Sequence, residues 1–123
     1  LLGLRQLNSS VAQVNQQGEA NVVILQQHGQ GNVFSLQQHG NGNSYEGYIS
    51  GANITNDLYQ QGDQNKLRQD LQTNDQTYVV RQLGGGNELT QIELGSNAKS
   101  YTVEQTGNMK VTIINGGSQI PIQ

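Results

Sequence analysis

Two histidines, four aspartates and a run of three glycines are the residues whose chemistry first invites a functional reading. His28 and His39 could share a metal ion, Asp57, Asp63, Asp70 and Asp75 could bind calcium, and Gly84-Gly85-Gly86 could cradle a phosphate. None has the spacing its chemistry needs. The aspartates follow no calcium-loop pattern, and neither a helix signal nor a Walker lysine follows the glycines. The chain has no Cys, which removes disulfides and thiolate metal sites. No Ser/His/Asp set stands out. A small polysaccharide-active β-helix enzyme would need carboxylates clustered on one face, and here they are dispersed. No enzyme, cofactor or metal site is expected.

The chemistry that does recur is the side-chain amide. Gln-x-Gly-x-x-Asn occurs at Gln16-Gly18-Asn21, Gln38-Gly40-Asn43, Gln60-Gly62-Asn65 and Gln82-Gly84-Asn87, each copy the same twenty-two positions after the last. A fifth copy, Gln105-Gly107, comes one position late and has Lys110 where Asn is expected. A weaker series lies halfway between. It begins as Gln27-Gly29-Asn32 and decays to Ile49-Gly51 and then Leu71-Thr73-Gln76. The repeating unit therefore consists of two similar halves. Such self-similarity at a fixed period is the signature of a repeat architecture.

The elements that position these amides follow from the residues upstream. The position two before each main Gln is Val14, Leu36, Leu58, Val80 and Val103, aliphatic in every copy. The intervening positions are mostly polar: Gln37, Asp57, Arg81 and Glu104. Period-two alternation along such a segment reads as a half-buried strand. In the other half the inward pairs are Val23 and Leu25, Tyr45 and Gly47, and Leu67 and Gln69. Each unit becomes strand, arc, strand, arc. The glycine after each Gln permits a turn that other residues resist, and the Asn tolerates left-handed backbone and bonds locally.

Neither half can bury its face alone, so the halves face each other and the units stack. The expected fold is all-β, a parallel solenoid of about five turns with two facing parallel sheets. Each turn rises by about 4.7–4.8 Å, roughly 24 Å in all. Stacking makes a ladder of Gln16, Gln38, Gln60, Gln82 and Gln105, with Gln27 opening a second. Asn21, Asn43, Asn65 and Asn87, with Asn32 in the other arc, make arc ladders. A buried amide left without partners costs about 1–3 kcal/mol, and a ladder satisfies all but its end members. The arc glycines are Gly18, Gly40, Gly62, Gly84, Gly107, Gly29 and Gly51.

The fourth unit contains an extra residue. Strict counting would turn Glu93 inward and bury a charge. Placing the extra residue in Gly84-Gly85-Gly86 turns Thr90, Ile92 and Leu94 inward and Glu93 outward. Leu25, Ile92 and Leu94 then join the aliphatic core. The organisation expected is a flank or partial strand over 1–8, five repeats over 9–30, 31–52, 53–74, 75–97 and 98–116, and a tail over 117–123. Leu2, Leu4 and Gln6 fit the partial strand, and Val111 to Ile114 reads as a closing strand. His28 and His39 should point outward from opposite sheets. Tyr48 and Tyr59 should lie outside, where they could stack between fibrils.

Composition fits a self-associating polymer. Charged residues are 12% of the chain, about half the usual ~25%. The net charge of -3 gives no steering toward nucleic acid and little barrier to self-association. No apolar run reaches the roughly 20 residues of a membrane span. The start, Leu1-Leu2-Gly3-Leu4-Arg5, is too short for a signal peptide, so an exported form would be a mature or trimmed chain. The only Pro, Pro121, lies past the last repeat, where it removes no ladder donor.

These repeats resemble those of curli fibre subunits, the functional amyloids of bacterial biofilm matrix, over about residues 9–116. The Ser that usually opens such repeats is replaced by Val11, Val33, Thr55 and Thr77 and kept as Ser100. The second Gln is lost after Gln27. The resemblance implies an extracellular homopolymer on a bacterial surface, secretion through an outer-membrane curli channel, and nucleation by a partner subunit. The major and the nucleating role both stay open. The other reading is a soluble solenoid module binding carbohydrate or ice. Ice binding would want a flat outward Thr array, whereas outward positions here change from repeat to repeat.

Overall fold

In a computed structural model the described residues are 10–95 and 98–116. Ten strands follow one another: β1 (Val11–Gln17), β2 (Val22–His28), β3 (Val33–His39), β4 (Ser44–Ala52), β5 (Thr55–Asp63), β6 (Lys66–Asn74), β7 (Thr77–Gly85), β8 (Glu88–Leu94), β9 (Tyr101–Gln105) and β10 (Lys110–Gly116). Odd strands form one sheet, ordered β1-β3-β5-β7-β9. Even strands form the other, ordered β10-β8-β6-β4-β2. Every pairing is parallel. The chain is a β-solenoid of about five turns. The partial strand expected over 2–6 and the tail over 117–123 lie outside the described residues.

Alternation decides which side chains meet between the sheets. In β3, β5 and β7 every second residue is buried as far as the ladder Gln. The core comprises Phe34, Leu36, Leu58, Tyr78 and Val80 from one sheet and Tyr45, Ile49, Leu67, Leu71 and Leu89 from the other. Val14 is exposed on the first strand, while Leu25 and Val103 are half-buried near the two ends.

The arcs are more regular than the sequence suggests. The residue just before each arc Asn takes the left-handed conformation: Ala20, Gly42, Gln64 and Gly86, with φ between 60° and 71°. The Asn itself does not. Its task is to bond between turns. The arc glycine also has a steric reason to be small. At Gly62, with φ of 108°, a Cβ would lie 1.3 Å from the Gly84 carbonyl oxygen of the next turn.

The fourth unit differs from the expectation. Lys66 pairs with Glu88 in the ordinary register, so Gly84-Gly85-Gly86 holds no insertion. Tyr78 pairs with Tyr101, one position beyond the ordinary step, which places the extra residue between Leu94 and Tyr101. The arc between Gln105 and Lys110 is one residue shorter than that between Gln82 and Glu88, and Lys110 returns to register with Glu88. Met109, not Lys110, therefore occupies the arc-Asn position. In β8 the inward residues are Leu89, Gln91 and Glu93, and Ile92 and Leu94 face outward. Neither belongs to the core.

Glu93 is fully buried, and its carboxylate has three donors. The Tyr101 hydroxyl, Asn115 Nδ2 (2.7 Å) and the Lys99 backbone N–H (3.1 Å) all donate to it. A buried carboxylate is tolerated when it is hydrogen-bonded in this way.

Candidate assembly surface

The amide ladder runs through all five turns with one direction. Gln16 Nε2 donates to Gln38 Oε1 at 2.8 Å, Gln38 to Gln60 at 2.8 Å, Gln60 to Gln82 at 2.8 Å and Gln82 to Gln105 at 2.7 Å. The second proton of each inner Gln reaches across to the other sheet, to the carbonyls of Val22, Ser44 and Lys66. At the last rung Gln105 Nε2 donates to the Glu88 and Met109 carbonyls. The ladder thus leaves an acceptor, Gln16 Oε1, at its amino-terminal end, while at its carboxy-terminal end both Gln105 Nε2 protons turn to backbone carbonyls.

The arc ladder works through the backbone. The Oδ1 atoms of Asn21, Asn43, Asn65 and Asn87 accept from the N–H groups of Asn43, Asn65, Asn87 and Met109. Asn32 Oδ1 accepts from Ile54 in the other arc. Met109 ends the series, since a thioether cannot supply a carbonyl to a following turn.

Two polar features go beyond the sequence reading. An outer arc rung is built by Asn41, Asp63 and Asn74, whose Oδ1 atoms accept from the N–H groups of Glu19, Asn41 and Ala52, each at 2.9 Å. Asp63 is therefore an arc acceptor. Its signal in the sequence is the Asn or Asp directly after the arc Gly or Thr. The second feature is a chain of bonds through the core. Tyr45 Oη donates to Gln69 Oε1 (2.7 Å), Gln69 Nε2 to Gln91 Oε1 (2.7 Å), Gln91 Nε2 to Tyr101 Oη (3.0 Å), and Tyr101 Oη to Glu93. Tyr45 enters this chain because Gly47 leaves a void. A Cβ on Gly47 would lie 1.9 Å from the Tyr45 hydroxyl oxygen.

At the two ends, strand edges face outward. Among the described residues β1 and β2 pair on one side only, as do β9 and β10. Val11, Val14, Val22 and Ile24 expose between 43% and 52% of their surface at the first turn, and Ile114 exposes 63% at the last. β1 and β2 contain no Asp, Glu, Lys or Arg, while β9 carries Glu104 and β10 carries Lys110. Like charges do not guard these edges, the usual protection against edge-to-edge pairing. The middle turn instead holds Asp57, Asp63, Lys66, Arg68 and Asp70.

The remaining candidates stay apart. His28 is exposed on one sheet, against Tyr48 at 5.7 Å, and His39 lies half-buried on the other, against Tyr59 at 5.6 Å. Arg81 lies over the Tyr59 ring at 5.8 Å. Among the described residues no three His, Cys, Asp or Glu side chains converge on a metal position. Among them, too, no helix is long and apolar enough to cross a membrane. Comparison of the chain with protein-family models and with curated proteins gives no match.

Proposed function

We propose that the chain is a structural subunit of an extracellular amyloid fibre of the curli type, growing by end-to-end stacking of solenoids. One observation carries the reading: a five-turn cross-β stack whose strand edges, among the described residues, are unpaired at both ends, on faces poor in charge, with the amide-ladder acceptor Gln16 Oε1 open at one of them. Repeat proteins that stay soluble place polar caps at such ends. Here Val14 and Val103 match Leu36, Leu58 and Val80 of the inner turns in type, and Leu25 and Ile113 are apolar where the inner turns hold Gly47, Gln69 and Gln91. The repeat resemblance adds the setting, namely the matrix outside a bacterial cell, export by a curli-like channel, and a nucleating subunit as partner. Its work there is mechanical and adhesive.

The test is dilution from denaturant into neutral buffer, followed by electron micrographs and fibre diffraction. Unbranched fibrils with reflections near 4.7–4.8 Å and about 10 Å are expected. A chain that stays a stable, strand-rich monomer would contradict the reading and favour a soluble binding module.

A further inference from the structure

We infer that copies of this chain join head to tail in a single register, with Gln27 of one copy set against Asn115 of the next. The inference rests on the fibre reading and adds the identity and polarity of the joint. It begins with one column of inward side chains in the even-numbered sheet: Gln27, Ile49, Leu71, Glu93 and Asn115. Inside the chain this column is apolar in the middle and polar at both ends. Gln27 has only Ile49 next to it in its column. Its Oε1 is buried with no hydrogen-bond partner among the described residues, and its Nε2 reaches only the Val11 carbonyl, at 3.5 Å. Asn115, at the far end, gives one Nδ2 proton to Glu93 and keeps a second.

A buried acceptor without a donor is costly and calls for a partner. On joining, the Gln27 amide turns to the end face and continuing the columns past the last turn supplies a partner, because β10 of one copy then lies beside β2 of the next. Asn115 meets Gln27, Ile113 meets Leu25, and Val111 meets Val23. In the other sheet β9 meets β1, so that Gln105 meets Gln16 and Val103 meets Val14. The ladder polarity agrees: Gln105 Nε2 exchanges its bond to the Met109 carbonyl for Gln16 Oε1 of the next copy and keeps the Glu88 carbonyl, the arrangement of the inner rungs. A joint between two amino-terminal faces would instead oppose two Gln16 carbonyls. Among the described residues no like charges oppose each other across the head-to-tail joint: Glu104 lies against Asn15, and Lys110 against Val22.

The absence of Cys permits a direct test. Within one chain, residues 27 and 115 are four turns apart, about 19 Å at the cross-β rise. That distance is too great for a disulfide, which needs Cα atoms within about 4.4–6.8 Å. Across the proposed joint they are neighbours at about 4.8 Å. Fibres of Gln27→Cys/Asn115→Cys, oxidised and run on a non-reducing denaturing gel, are expected to give a ladder of covalent multimers. Fibres of either single variant should give monomer. Dimers from a single variant, or fibres of the double variant that yield only monomer, would overturn the joint. Should the double variant fail to form fibres, Val14→Cys/Val103→Cys reports the same joint through the other sheet and is read in the same way. The amide pair has its own readout: Gln27→Leu should raise the soluble concentration left after assembly about tenfold, and no change would remove the pair from the joint. If the unmodified chain forms no fibre, the fibre reading fails. Fibres without the cross-link sink the joint alone.

Discussion

Replacing Gln60 by Leu should disrupt the fibre far more than replacing Gln37 by Leu. The two changes are chemically identical and lie one turn apart in the same sheet. Gln60 is fully buried. Its Nε2 donates to Gln82 Oε1 at 2.8 Å and to the Ser44 carbonyl at 2.9 Å, and its Oε1 accepts from Gln38 Nε2 at 2.8 Å. Leucine fills a similar volume but strands the Gln38 donor and the Gln82 acceptor, both on fully buried residues. Each stranded group costs about 1–3 kcal/mol, so the loss is about 2–6 kcal/mol. Gln37 is an exposed outward residue, where a substitution shifts stability by only about 0.5 kcal/mol either way. The assay is the concentration of unfolded chain in equilibrium with fibres, since a folded soluble chain would keep the same intramolecular ladder. At tenfold per ~1.4 kcal/mol, Gln60→Leu should raise it at least about 30-fold, and Gln37→Leu by less than about threefold. Equal effects of the two variants would refute the ladder as a source of stability.

Four further outcomes follow. Gly47→Val should destabilise by about 1–3 kcal/mol through overpacking against Tyr45, and Tyr45→Val in the same chain should recover most of it, as read by denaturant midpoints. Glu93→Gln keeps the shape but sets an amide donor among three donors, so amide hydrogen exchange should quicken over residues 98–116 while the first three turns stay protected. Burial pushes the phenols of Tyr45 and Tyr78 well above their ordinary range, and the Glu93 charge adds to the effect at Tyr78. The unfolded chain ionises these tyrosines near pH 10 and so binds fewer protons than the folded chain above that pH. Stability should hold below about pH 10 and fall above it by about 1.4 kcal/mol per pH unit for each, measured as fibre dissolution alongside phenolate absorbance. Met109→Asn should restore the missing arc rung at the joint and lower the residual soluble concentration about two- to tenfold; an increase would count against stacking through that arc.

Spacing makes the solenoid legible, because a ladder needs the same residue at the same place in every turn. Gln16 to Gln105 and Val14 to Val103 need nothing beyond counting. The fourth unit misleads for a physical reason. Treating a buried Glu93 as too costly moves the extra residue into Gly84-Gly85-Gly86 and turns Ile92 and Leu94 inward. The donors that make Glu93 tolerable, Tyr101 and Asn115, lie 8 and 22 residues further on, and only the stacked fold brings them to it. The arc asparagines suggest left-handed backbone because Asn tolerates it, yet that conformation falls one residue earlier, on Ala20 or Gln64 as readily as on glycine. The side chain is held instead by its bond to the next turn. The core chain from Tyr45 to Glu93 depends on a void at Gly47 and on cross-sheet contacts, neither of which shows in a one-dimensional pattern.

Mass per length in electron micrographs of unstained fibres decides whether the fibre continues this solenoid from copy to copy. The chain weighs 13.4 kDa. Spread over five turns at about 4.8 Å each, it predicts about 0.56 kDa per Å for each protofilament. A fibre that instead stacked one flattened chain per rung would weigh about 2.8 kDa per Å, and that value would rule out end-to-end stacking of solenoids.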